Sequence, residues 1–216
     1  MIDRMMEPEP TQPPESLPHL TFPDVIKVIV VDFVWFARHY LGRPNPPLMY
    51  IAIWLIGMDA VAGGIELGYV YGGQYDLDNW FFAWIRIIVG GTAIGVFRYW
   101  LVGSIFHLIV IAAGGKGIAR TSRYILLYAL LPAAVTNLSI KVLQMLLYQN
   151  SYFAGDRNAV IEGLFGIVMM VAYVFTIVLC YRGMITVQQA DGRRSIVMLA
   201  VLSLGTILLS IVGLGN

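Results

Sequence analysis

The feature that most constrains this chain is a series of apolar runs, each about as long as a bilayer is thick, with most of the charges in the short segments between them. The runs cover residues 48–70, 81–113, 122–147, 160–181 and 195–214. About 20 predominantly apolar residues suffice for a helix to cross a hydrocarbon core ~30 Å thick. Of the 216 residues, 58% are hydrophobic and 12% charged. The charged share is half the ~25% of a soluble domain, too little to cover a water-facing surface. The expectation is an all-α, polytopic membrane bundle of about five spans, residues 23–216 forming one membrane domain.

The second run sets the topology. Residues 81–113 as straight helix would reach roughly 50 Å at ~1.5 Å per residue, longer than one crossing requires. Two crossings would need about 40 residues and a turn. A single tilted helix is expected, flexing near Gly90, Gly91 and Gly95. With the N-terminus inside, Lys27, Arg38 and Arg43, then Lys116, Arg120 and Arg123, then Arg182, Arg193 and Arg194 fall on the cytoplasmic face. In its loops the opposite face holds only Arg157, beside Asp156, and the acidic loop with Asp76 and Asp78. That is the asymmetry of the positive-inside rule for an inside N-terminus and an outside C-terminus.

Residues 1–22, rich in proline and glutamate, read as a disordered cytoplasmic tail with no apolar core for a cleavable signal, so the first span is expected to direct insertion. Residues 24–42 repeat apolar positions at helical spacing but carry Lys27, Asp32, Arg38 and His39. This stretch is expected as a helix with Asp24 as its N-cap, lying in the membrane interface with Trp35 and Tyr40 as anchors or packed on the bundle as a cap. Cys180, the single cysteine, excludes an internal disulfide and a cysteine-based metal site.

One stretch reads His107-Leu108-Ile109-Val110-Ile111-Ala112-Ala113-Gly114-Gly115-Lys116-Gly117, followed by Tyr128-Ala129-Leu130-Leu131-Pro132. It resembles the Yip domain family, membrane proteins named for interaction with Ypt/Rab GTPases. The family has five spans, a cytoplasmic N-terminus, a glycine-rich turn after the second span and a tyrosine-small-x-x-proline pattern in the third. Eukaryotic members carry a longer N-terminal region with an Asp-Leu-Tyr-Gly-Pro segment; the nearest string here, Asp76-Leu77-Asp78-Asn79-Trp80, falls on the opposite face. The resemblance thus implies a prokaryotic member in the bacterial inner membrane, with Gly114, Gly115 and Gly117 at the turn and Tyr128 and Pro132 at the kink.

Ionisable groups within spans are costly and face protein or water. Asp59 and Glu66 are seven residues apart on the first span, and Asp59 lies at nearly the depth of Arg98 on the second. Lys141, four residues after Asn137, lies near the level of Glu66. Asp59, Glu66, Arg98, His107, Asn137 and Lys141 form the candidate intramembrane polar cluster. It is read as ion pairs locking three spans together, or as a polar path for a proton, ion or head group; Lys141 could instead snorkel to the outer interface. His107 is expected to be a hydrogen-bonded interior group. The glycine turn has neither the spacing nor the Ser/Thr of a phosphate-binding loop and is expected to need positive φ, as at Gly115. Lys116, Arg120 and Arg123 are open to contact with anionic lipid. Ser104 and Ser139 lack a base. No catalytic set, metal site or cofactor is expected. The expected role is a non-catalytic scaffold whose partners are the lipid bilayer and a membrane or cytosolic protein, not nucleic acid, with self-association open; the alternative is a small transporter or channel.

Overall fold

A computed structural model describes residues 21–40, 46–72, 80–152, 157–201 and 203. The expected tail, the Asp76/Asp78 loop, Asp156 and most of the fifth span lie outside them, as do the side chains of Arg38, His39, Tyr40 and Glu66. Most of the described residues are helical, and none is in a strand. The helices are α1 (Phe22–Tyr40), α2 (Pro46–Gly72), α3 (Trp80–Phe97), a π-helical segment (Arg98–Val102), α4 (Gly103–Ala112), α5 (Ala119–Tyr148), α6 (Ala159–Thr186) and α7 (residues 192–201). Four helical stretches among the described residues are long and apolar enough to cross a membrane: Pro47–Ile65, Trp80–Ala112, Ala119–Tyr148 and Ala159–Thr186. The protein is an all-α bundle integral to a membrane.

The second crossing is one run of helix from α3 through α4. It is interrupted at Arg98–Val102, where the turn widens to π geometry, and not at Gly90, Gly91 or Gly95. The hydroxyl of Ser104 donates to the carbonyl oxygen of Trp100 within this wide turn. Such turns often sit at functional sites, and here it carries Arg98. The glycines do something else. A Cβ on Gly57 would lie 1.8 Å from the Gly91 carbonyl oxygen, and one on Gly95 would lie 2.2 Å from the Ile53 carbonyl oxygen. Glycine therefore lets the backbones of α2 and α3 touch, the small-residue packing that drives helix association where lipid is as apolar as leucine.

The central helix is α5, which contacts α2, α4 and α6. Leu131, Ala129 and Ile125 are fully buried on it, whereas α6 turns Leu164, Ile167, Val168 and Val171 outward. Asn158 starts α6 by accepting from the backbone N–H of Val160 at 2.9 Å and Ile161 at 3.3 Å.

The N-cap of α1 is Thr21, not Asp24. The Val25 N–H bonds to the Thr21 carbonyl at 3.0 Å, while Asp24 reaches back to accept from the Thr21 N–H at 3.1 Å, one half of a capping box. The hydrogen bond from the Thr21 hydroxyl, and then that from the Thr21 N–H, hold the Asp24 carboxyl below its ordinary value. At Asp32 the backbone leaves the helical region (φ −144°, ψ 71°), and its carboxylate recaps the second half through the Trp35 N–H at 3.0 Å. Val25, Ile29, Phe33 and Phe36 are buried against the bundle, with Phe36 edge-on to Tyr128 at 4.9 Å. Helix α1 thus packs on the bundle as a cap, while Val31 on its other face is 74% exposed.

Candidate functional site

Asp59 is where three helices meet. It projects from α2, accepts a hydrogen bond from Asn137 Nδ2 on α5 at 2.7 Å, and lies 3.4 Å from Arg98 Nη1 on the π segment. The same Nη1 donates to the Ile56 carbonyl at 3.4 Å. The shortest contact is with Asn137, and both Asp59 and Asn137 are more enclosed than the Arg98 side chain, which is 38% exposed. Asp59, Arg98 and Asn137 are therefore one group, with the neutral amide as the tighter partner.

Lys141 belongs elsewhere. It is buried, so it does not snorkel outward, and its Nζ donates to Gln144 Oε1 at 3.1 Å. Gln144 Nε2 in turn donates to the two Glu162 oxygens at 3.2 and 2.9 Å, joining α5 to the first turn of α6. The expected approach of Lys141 to Glu66 falls on a side chain outside the described residues. Gln144 and Glu162 were missed by sequence reasoning. The available signal was a polar residue three positions from Lys141 on the same helical face, and an acid in an apolar run's first turn.

His107 forms a third group at the opposite end of the bundle from Lys141. Its Nδ1 lies 2.9 Å from Ser122 Oγ, which also accepts from Gln188 Nε2 at 3.1 Å. Gln188 closes over the glycine turn: its carbonyl accepts from the Lys116 N–H at 2.9 Å, and the Asp191 N–H donates to the Ala113 carbonyl at 3.0 Å. In this turn Gly114, not Gly115, takes positive φ (82°). Gly115 is required by proximity, since a Cβ would meet Val110 Cγ1 at 2.5 Å and the Val110 carbonyl oxygen at 2.9 Å; at Gly117 a Cβ would displace the Gln188 side-chain amide, whose Oε1 lies 1.3 Å away. Tyr128 is buried against α1, and Pro132 lies inside α5 without ending it. Ser104 accepts from Arg123, and Ser139 donates to the Val135 carbonyl, so both hydroxyls are engaged.

A cavity of about 260 Å³ lies beside Asp59. Its wall includes Asp59, Arg98 and Arg123 together with Leu126, Leu130 and Ile177. Arg123 stacks its guanidinium 4.2 Å from the centre of the Trp100 ring, donates from Nη2 to Ser104 at 3.1 Å, and leaves its buried Nε without a partner among the described residues. Sequence reasoning placed Arg123 with the loop charges. What it could not supply is that Gly103 leaves room for the arginine stem, which runs 2.8 Å from where a Cβ would be. Among the described residues no group of three or more His, Cys, Asp or Glu side chains could hold a metal ion.

In comparisons with protein-family models, curated proteins and solved structures, nothing matches the chain.

Proposed function

We propose that the chain is a Yip-like integral membrane scaffold that acts through protein or lipid partners without catalysing a reaction. The observation that carries this reading is how the polar groups of the spans are used. Asp59–Arg98–Asn137, Lys141–Gln144–Glu162 and His107–Ser122–Gln188 each tie different segments together, and the bonds described for one group involve no residue of another. Polar residues joined in this way fix helix register; a transport path needs such groups in succession across the membrane. The turn at Gly114, Gly115 and Gly117 and the Tyr128–Pro132 string are the positions that carry the likeness to the Yip family.

Charge distribution supports a cytoplasmic location for the end bearing the glycine turn, as in a bacterial inner membrane. Lys116, Arg120, Arg123, Arg182, Arg193 and Arg194 belong to that end, whereas the other has Arg157, the exposed Arg86 and the buried Lys141. The transporter reading draws on one specific observation, that Asp59 and Arg98 line a cavity. Proton and monovalent-ion flux into proteoliposomes decides between the two. The scaffold reading expects no flux above that of protein-free vesicles, and flux that disappears in Asp59→Asn would sink it. Affinity purification from native membrane is expected to retain a protein or lipid partner in stoichiometric amount.

A further inference from the structure

We infer that the cavity between the α3–α4 run and α6 is a binding site for the head group of an anionic phospholipid; this deepens the lipid arm of the proposed function.

Two guanidiniums and one carboxylate face the cavity, leaving an excess of one positive charge. Asp59 offsets Arg98. Arg123 has no acidic partner among the described residues. A buried guanidinium nitrogen with no partner is costly, and an anion held at this site would reduce that cost. A guanidinium has five N–H donors. The described bonds engage only Nη1 of Arg98 and Nη2 of Arg123, so donors remain on both for a two-point grip on phosphate oxygens. Stacking on Trp100 and the bond to Ser104 hold the Arg123 fork in place before a ligand arrives.

Shape selects the source of the anion. Helices α4 and α6 both pack on α5, whose Leu126, Leu127 and Leu130 line the floor between them. Leu199 of α7 and Ser203 line the cavity too, and Val102, Tyr173 and Ile177 on its rim are 38–50% exposed, an apolar mouth against which lipid chains could lie. The volume equals that of about nine waters at ~30 Å³ each, room for a phosphodiester and the first carbons attached to it but not for acyl chains. Those would lie along the open side, against Ile177 and the outward residues of α6. A phospholipid reaches this opening by diffusing within the bilayer, whereas free phosphate would have to cross apolar walls. The excess of one charge matches a phosphodiester, and Arg123 lies in the first turns of α5, at the end where head groups would meet the bundle.

The test uses the full-length protein, stripped of lipid in a neutral detergent, with melting temperature and native mass spectrometry as readouts. Phosphatidylglycerol, phosphatidylcholine and inorganic phosphate are titrated separately. Phosphatidylglycerol is expected to bind about tenfold more tightly than phosphatidylcholine, the scale of one charge-assisted hydrogen bond. Arg123→Gln should reduce that preference to below about threefold, Arg123→Lys should retain part of it, and Ile177→Trp, which fills the mouth, should weaken both lipids. Because Ile177 is 40% exposed, the last variant tests the site even if Arg123→Gln folds poorly. Equal affinity for the two lipids, or an unchanged preference in Arg123→Gln, overturns the proposal. Stabilisation by inorganic phosphate equal to that by phosphatidylglycerol overturns the lipid source in favour of a free anion. Absent lipid preference in a protein that carries no flux would refute the lipid site alone, whereas flux would refute the scaffold reading alone.

Discussion

Removing Asp59 and its partners one at a time and in pairs tests the central clamp, with Asp59→Leu, Asn137→Leu and Arg98→Gln as the variants. At 3.4 Å the gross attraction between Asp59 and Arg98 is ~5 kcal/mol at an effective dielectric of ~20. Desolvation and the 38% exposure of Arg98 offset most of it, so a net coupling of about 0.5 kcal/mol is expected. The Asn137 bond is shorter at 2.7 Å and Asn137 is buried. A hydrogen bond to a charged group contributes ~1.5–3 kcal/mol in water-soluble proteins, while measured couplings between membrane helices reach a maximum of ~1.7 kcal/mol. We expect about 1.5 kcal/mol for Asp59 with Asn137, three times the value for Asp59 with Arg98. Equilibrium unfolding by a denaturing detergent, followed by tryptophan fluorescence, supplies the double-mutant cycles. Losses for Asp59 and Asn137 that add to within ~0.3–0.5 kcal/mol would refute the clamp, and a larger coupling to Arg98 than to Asn137 would refute the ranking.

Gly57→Ala should destabilise α2 against α3 by about 1–3 kcal/mol, because the new methyl meets backbone at 1.8 Å and only helix separation relieves it; unchanged unfolding would show that the helices do not touch there. Gly117→Ala is expected to lower the yield of folded protein more than Gly63→Ala, since Gly117 faces the Gln188 amide while Gly63 has open space around it; equal yields would contradict this. Single cysteines at Lys116 and Ser151, in a Cys180→Ala background, should label from opposite sides of the membrane, with Ser151 accessible from outside intact cells. The Asp24 carboxyl titrates below its ordinary 3.8 when α1 is folded. Its contribution is therefore present above the unfolded-state value and lost as pH falls through the folded one. Protection of the Val25 N–H, measured against its intrinsic exchange rate, should fall on acidification below that range, and Thr21→Ala should weaken this dependence without abolishing it, because the backbone N–H at 21 still donates to Asp24.

The residue pairs show which properties each level of description controls. Apolar runs long enough to cross a bilayer make helices inside it by themselves, because backbone groups in lipid must be satisfied within the segment. The all-α membrane class and the four described crossings were therefore legible in residue order. So was the common depth of Asp59 and Arg98, since ~1.5 Å per residue converts position in a span to height. Azimuth was not legible. A span surrounded by lipid can turn any face inward, and α2 is apolar nearly all round, so periodicity gives no direction for Asp59. The contact of Gly57 with Gly91 sets that direction and thereby delivers Asp59 to Asn137.

The same holds for Lys141, Gln144 and Glu162, where the bonds depend on how α6 rotates against α5. The π segment, too, follows from local backbone hydrogen bonding that no residue type in Arg98–Val102 announces. Sequence alone determined what must leave water and roughly how deep each charge lies, because hydrophobicity and helix rise are local. Only the tertiary structure decided which charges meet, which glycine carries a positive φ and that Arg123 faces a cavity. Those outcomes depend on the relative rotation of helices whose surfaces are nearly uniform in lipid, and close backbone packing together with the polar bonds between spans distinguishes one rotation from another.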